Sequence, residues 1–326
     1  MNHIQAVVFS ACVAASMLLP GMTRVHAQTF PTKPLRLIVP VPAGAGADFV
    51  ARAYAQRLTL ALGQQVVVDN RGGAAGIIAM EWVARAVADG YTLVQATVAT
   101  TSIMPFMYSK LPYDVAKDFA PVTITTLNPL VLVVHPSLPV HSVQELIAYG
   151  KANPRKLSYA SVGSGSIQHL AGHVFSKATG IEMVHVPYKG AAPATVDLIA
   201  GQVNTAFSGV GTVAALVTAG KLRALALTGK RMEVFEGVPT MQEAGVSNVD
   251  MWLWNGVLAP AHTPLSIVRR LNAEFVKAAH SPELIAAMAT QGTSPASNSP
   301  EEFGKLIREE QVRFAKIVKE SGVKAD

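Results

Sequence analysis

One local arrangement is written twice in this chain and restricts its fold more than any other feature. Residues 35–39 are apolar, a loop Pro42-Ala43-Gly44-Ala45-Gly46-Ala47-Asp48 follows, and a helical period begins at Phe49. Phe49, Val50, Ala53, Tyr54 and Leu58 share one face of that period while Arg52, Gln56 and Thr59 line the other, which predicts a helix to residue 62 packed on a sheet. The order returns farther on: a strand over 157–160, the loop Ser161-Val162-Gly163-Ser164-Gly165-Ser166, a helix over 167–178 and a strand over 183–186. The architecture repeats, although the sequence does not. The first amides of a helix have no intrahelical partner and the helix dipole adds positive charge there. Each loop is therefore an expected anion site, and two such loops facing each other predict a cleft for a carboxylate.

The rest of the chain extends this pattern. A strand over 66–68, a glycine-rich turn, a helix over 77–87 ended by Asp89-Gly90 and a strand over 91–96 read as a doubly wound α/β opening. Thr97, Thr100, Thr101 and Ser102 crowd the end of that third strand, either as ligand contacts or as a loop that caps itself. Strands are predicted over 119–125 and 130–134, separated at Asn128-Pro129, and Ser142 caps a helix through Lys151. Strands over 203–207, 222–227 and 252–258 follow. Three helices are then each opened by a hydroxyl residue and a proline, at Thr263-Pro264, Ser281-Pro282 and Ser299-Pro300. The last turns Phe303, Leu306, Ile307, Phe314 and Ile317 inward.

Residues 4–20 are almost uninterrupted apolar and small residues, and Val25-His26-Ala27 precedes Gln28, the pattern of a secretory signal peptide cut after Ala27. The first ten residues hold no Lys or Arg, so the usual basic start is missing. The only cysteine, Cys12, falls in this leader, and an exported chain without disulfides points to the periplasm. A net charge of +6 comes from scattered Lys and Arg, which predicts no nucleic-acid partner. Gly44-Ala45-Gly46 with Asp69 after the next strand is a truncated dinucleotide-binding fingerprint, with Phe49 where its third glycine belongs. An NAD-dependent oxidoreductase is thus the alternative of another class, although it would need nicotinamide outside the cytoplasm. No G-x-S-x-G or H-E-x-x-H occurs, and His169 and His173, four apart, have no acidic or cysteine partner nearby in sequence. No enzyme activity, catalytic residue, metal or cofactor is expected.

Assembled, these residues resemble the Bug receptors, the TctC-like substrate-binding proteins of tripartite tricarboxylate transporters. The markers include Pro34 to Pro40 with Pro42-Ala43-Gly44, then Val66 to Arg71, Asp89 to Leu93 and Leu111-Pro112-Tyr113-Asp114. Farther on come Tyr159-Ala160-Ser161, His169 to Gly172, His185 to Gly190, Gly220 to Ala226 and Leu258-Ala259-Pro260. The resemblance implies an α/β, two-lobed periplasmic binding protein of type II-like form, each lobe a doubly wound, mostly parallel sheet flanked by helices, with two crossovers. The implied boundaries are a leader over 1–27, lobe 1 over 28–126 and 251–326, and lobe 2 over 127–250. One strand would enter each parallel sheet just after a crossing, 130–134 in one and 254–258 in the other.

Carried over by position, the ligand contacts would be Ala43, Gly44, Ala45, Asp48, Thr100 and Ser102 from lobe 1, and Ser161, Gly163, Ser164, Gly165, Ser166 and His169 from lobe 2. The implied partners are a small carboxylate, either a di- or tricarboxylate or an aromatic acid, and the membrane subunits of a tripartite transporter or a membrane sensor. A monomer is expected. Three departures stand out: Ala45 replaces a common glycine, Ala47 a hydroxyl residue, and Ser208 an aspartate found in many relatives. If that aspartate holds a ligand amine, its absence here implies a carboxylate without an amino group. Tyr188 and Lys189 lie either at the cleft mouth or on a packed and solvated surface, and Trp254 either packs at the hinge or walls the ligand.

Overall fold

Three short apolar runs, LRLIV, VVVDN and TLVQAT, become β1 (Leu35–Val39), β2 (Val66–Asn70) and β3 (Thr92–Thr97) in a computed structural model that describes residues 30–324. The expected leader, its cut after Ala27 and Cys12 lie outside the described residues. The chain divides into a short unit, Met1–Thr32, and a compact unit, Lys33–Asp326, that contains all the elements below. β1 lies between β2 and β3 and runs parallel to both, because α1 (Gly46–Leu62) and α2 (Ile77–Ala84) return the chain between strands. α1 starts three residues before Phe49, and α2 ends short of the predicted residue 87. After β3 come a wide π-type turn, Ala99–Ile103, and two short helices, α3 (Met104–Met107) and α4 (Val115–Asp118).

β4 (Phe119–Val134) is one strand of 16 residues, where the sequence predicts two. The expected break at Asn128-Pro129 does not interrupt it because of where the proline falls. Pro129 is the last β4 residue opposite β9 (Trp252–Pro260), and from Leu130 on β4 pairs instead with β7 (Thr205–Gly209). A proline lacks a ladder donor, and here the missing N–H coincides with the change of partner. The second set of elements is α5 (Val143–Ala152), β5 (Leu157–Ser161), α6 (Ile167–Thr179), β6 (Met183–Pro187), α7 (Ala191–Ile199), β7, α8 (Val210–Thr218) and β8 (Arg223–Leu227). β5 lies between β6 and β7 and is parallel to both.

The hydrogen-bonded order is β2-β1-β3-β9-β4-β7-β5-β6, with β8 also on β4. The predicted run 254–258 falls inside β9, antiparallel to β3, and 130–134 is the second part of β4, antiparallel to β7 and β8. One core runs through both groups, from Ile38 and Val94 through Trp254 to Leu132, Phe207 and Phe175. The chain ends with α9 (Leu265–Ala279), α10 (Pro282–Ala289) and α11 (Pro300–Ser321). Ser281 caps α10, and Ser299 forms a capping box with Glu302 on α11. Thr263 does not cap α9; its hydroxyl donates to the Pro260 carbonyl at 2.7 Å, and Pro264 opens the helix alone.

Residues 293–298, between α10 and α11, form a strap along β4. Asn128 donates to Thr293 Oγ1 at 2.8 Å, Ala296 N to the Thr125 carbonyl at 2.9 Å, and Ile124 N to Asn298 Oδ1 at 2.9 Å. Tyr54 of α1 ties both sides, its hydroxyl lying 3.0 Å from the Thr125 carbonyl and 3.1 Å from that of Ala296. Asn298→Ala leaves the Ile124 amide without its partner and is expected to cost about 1–3 kcal/mol, read as a lower urea midpoint at unchanged slope. An unchanged midpoint would show that the strap is not fastened through this side chain.

Candidate ligand-binding site

The first loop is braced from inside by a carboxylate. Asp48, in the first turn of α1, is 3% exposed. It accepts from Gly44 N at 2.8 Å, Arg52 Nε at 3.0 Å and Asn70 Nδ2 at 2.8 Å. Burial alone would raise its pKa, but the bonds from Arg52, Gly44 and Asn70 outweigh burial and hold the carboxyl below its ordinary value. The Asp48 side chain is therefore turned into the protein, and the Gly44 amide is occupied by it. The Ala45 amide goes to the Pro42 carbonyl at 3.3 Å, and Ala43 and Gly44 form the exposed tip. Among the described residues the amides of Gly46, Ala47 and Asp48 take no partner, and of these three only Asp48 was in the expected set. Sequence reasoning missed Gly46 and Ala47 because it started the helix at Phe49.

The turn after β3 uses its own polar groups. Thr97 N donates to Thr100 Oγ1 at 3.0 Å, while Thr100 Oγ1 and Thr101 Oγ1 donate to the Thr97 carbonyl at 3.1 and 3.0 Å. Ser102 Oγ lies 3.2 Å from Thr101 Oγ1, and Thr100, Thr101 and Ser102 are all buried. Tyr113 donates to the Thr100 carbonyl at 2.7 Å and Gln311 of α11 to that of Thr101 at 2.8 Å. Of the two sequence readings, this geometry is that of a self-capped loop.

The second loop is held by neutral groups. Ser166 caps α6, accepting from His169 N at 3.3 Å while donating to the Gly163 carbonyl at 2.7 Å. Gly165 N donates to His169 Nδ1 at 3.1 Å. Ser161 Oγ donates to the Gly163 carbonyl at 3.0 Å and lies 2.7 Å from His185 Nε2, so the imidazole is the donor of that pair. The His169 and His185 rings stack at 3.7 Å between centroids and 6° between planes. Burial lowers the pKa of both to about 4, helped at His169 by His185 and His173, so both are neutral near pH 7. His185 is a site residue the sequence reading missed; its signal was its place on the strand beside β5, opposite Tyr159. Among the described residues the amides of Val162, Ser164, Ile167 and Gln168 take no partner.

The structure brings Ser208 to Ser161. Both line a cavity of about 20 Å³, room for one water, together with Val162, Gln168 and Thr212. No residue of the first loop reaches it. The two sets of elements also meet at Gly165, where a Cβ would lie 2.1 Å from Met107 Sδ, and the positive φ of 75° there favours glycine. A groove of about 1280 Å³ runs along β2 and contains none of the expected ligand residues. There Asp69, the acid of the dinucleotide reading, pairs with Arg71 at 3.1 Å, and Arg71 lies over Trp82. Among the described residues no group of three His, Cys, Asp or Glu is placed to hold a metal. Tyr188 donates to Asp197 at 2.8 Å, Lys189 is exposed, and the fully buried Trp254 packs edge-on against Phe303.

A family model described as the tripartite tricarboxylate transporter family receptor matches residues 50–323. Protein BugT of Bordetella pertussis is 36% identical, the match covering 99% of each chain. Among solved structures, R. palustris Rpa4515 with adipate is 36% identical at a TM-score of 0.82, covering 90% of this chain and 99% of that one. MatC from Rhodopseudomonas palustris with bound malate is 28% identical at a TM-score of 0.77, covering 89% of this chain and 100% of that one. These matches are binding receptors, not enzymes, and share the α/β, two-lobed periplasmic-binding-protein fold.

Two depressed histidines give the fold an acid-side dependence. The unfolded chain takes up these protons below about pH 6.5 and the folded chain only near 4, so stability contributed above 6.5 is lost as pH falls across that window. Each histidine contributes at most about 1.4 kcal/mol per pH unit there. Urea unfolding at pH 7 and pH 5 is expected to show a smaller loss for His185→Gln than for the unaltered chain; equal losses would mean that His185 does not titrate differently on folding.

Proposed function

Because the chain belongs to the tripartite tricarboxylate transporter receptor family, whose receptors are periplasmic and bind small carboxylates for tripartite transporter membrane subunits, we propose that it captures a small carboxylate lacking an amino group and delivers it to such a transporter. The observation that carries this reading is the pair of helix-start loops whose amides are left over. Gly46, Ala47 and Asp48 on one side, and Val162, Ser164, Ile167 and Gln168 on the other, are donors without acceptors in the chain. Residues 28–126 with 251–326 form one lobe and 127–250 the other, and the ligand lies between them. Ala43, Gly44, Ala45 and Asp48 shape the first loop, which presents the neighbouring amides. Ser161, Gly163, Ser164, Gly165, Ser166 and His169 shape the second, and Thr100 and Ser102 support the wall behind the first. The protein acts as a monomer, exported after cleavage at Ala27.

Ser208 sets the ligand's charge. It lines the small cavity that Ser161 and Gln168 also line, where an acidic residue would supply an acceptor for an ammonium. A thermal-shift screen of residues 28–326 against adipate, malate, citrate, aromatic acids, amino acids and NAD tests the reading. A carboxylate present at about a hundred times its dissociation constant adds roughly 2.7 kcal/mol, a shift of a few degrees. Stabilisation by amino acids alone, or by NAD alone, would overturn it. Ser208→Asp is expected to lower affinity for the bound carboxylate about tenfold, through like charge, and to admit an amino acid that the unaltered chain does not bind. Unchanged affinities for both would place Ser208 outside the site.

A further inference from the structure

Away from the β4–β9 pairing, the two proposed lobes approach each other backbone to backbone at Gly211. Gly211, in the first turn of α8, faces the turn after α10: a Cβ on Gly211 would lie 1.9 Å from the Gln291 carbonyl oxygen, and a Cβ on Gly292 3.1 Å from Gly211 Cα. A real Cβ never comes so close, so the contact exists only because residue 211 is glycine. Its backbone is ordinary helix, so nothing about chain conformation calls for glycine there. The requirement is one of approach alone.

Neither side of this contact moves freely. The turn is closed by Gly292 N on the Ala289 carbonyl at 2.9 Å and Thr293 N on the Met288 carbonyl at 3.2 Å, and it is anchored to β4 through Asn128 and Thr293 at 2.8 Å. On the other side Gly209, two residues before Gly211, is the register partner of Leu130 on β4. The contact therefore sits beside the residues where β4 changes partner, close to the axis about which two lobes joined by β4 and β9 would turn. Near a hinge the lever arm is short. A displacement of about an ångström there becomes several at the far lip of the cleft.

We propose that the Gly211 contact with Gln291 and Gly292 is the stop that sets how far the lobes close on a ligand, making Gly211 a positioning residue for capture rather than a ligand contact. This rests on the two-lobed capture reading. A methyl group at 211 would halt closure early, leaving the amides of the two loops too far apart to share one small carboxylate.

The test is a distance between lobes. The mature chain has no cysteine, so spin labels at Leu60→Cys and Val196→Cys, both well exposed, report lobe separation with and without adipate. In Gly211→Ala the shortest-distance population of the unaltered chain is expected to disappear, with adipate bound about tenfold more weakly. Gly292→Ala gives a smaller shift in the same direction, and Thr218→Ala, at the far end of α8, gives none. Identical shortest distances in Gly211→Ala and the unaltered chain overturn the stop. If adipate leaves the unaltered chain unmoved while Gly211→Ala still loses the shortest population, the stop stands and the carboxylate assignment fails.

Discussion

The pairing of β4 with β9 is the interaction on which the rest of the fold depends. Each group of parallel strands is built locally, strand, helix, strand, and the two groups share one continuous hydrogen-bonded sheet only through these two strands. β9 lies antiparallel between β3 and β4, and β4 continues past Pro129 to pair with β7 and β8. Both strands are buried along most of their length, with Leu130 to Val134, Trp254 and Val257 fully enclosed. Side chains reinforce the ladder: Asn255 donates to Thr126 Oγ1 at 2.8 Å, and Gly256 admits the Phe303 ring, which a Cβ would meet at 2.2 Å. Through Phe303 the last long helix is pressed onto the strand pair it must support.

The two loops at either side of this pair share a plan and differ in chemistry. The first uses a carboxylate, Asp48, shared among Gly44, Arg52 and Asn70. That carboxylate sits at the positive end of α1, where it would oppose a ligand anion were it not compensated by Arg52. The second uses hydroxyls and neutral imidazoles, with Ser161, Ser166 and His169 closing on Gly163 and Gly165. Its hydrogen bonds involve no charged side chain. The consequence is an asymmetry in pH: Asp48 remains ionised well into acid, whereas the stacked His169 and His185 resist a second charge as soon as one is protonated.

Much of this was legible in the chain. The doubled strand, loop and helix pattern placed β1, β5, α1 and α6 within a few residues, because apolar period and glycine turns are local signals. Ser142, Ser281 and Ser299 cap their helices as read, each side chain accepting from the amide three residues on. What failed was decided by tertiary contact. Pro129 read as a strand break, yet it falls where the ladder exchanges partners. Thr263 read as a cap, yet its hydroxyl turns back to Pro260. The internal bonds of Asp48 and Thr100 were not legible either, since they depend on Arg52, Asn70 and Tyr113 arriving from elsewhere. His185 was invisible as a site residue because its partner Ser161 lies 24 positions away.

The balance of donors and acceptors around the loops bears on which solutes such a cleft holds. Carbonyls there are already engaged: Gly163 by two hydroxyls, Thr97 by two more, Thr100 by Tyr113 and Thr101 by Gln311. The groups left over include the amides at the two helix starts. A carboxylate meets such a surface with acceptors only, matching it atom for atom, while an ammonium would be desolvated against donors and left unpaired, which costs several kcal/mol. An acidic side chain at position 208 would change that balance by supplying an acceptor; serine supplies a hydroxyl that can serve either partner. The proposed preference for a carboxylate without an amino group thus rests on the balance of donors and acceptors in the loops as much as on position 208.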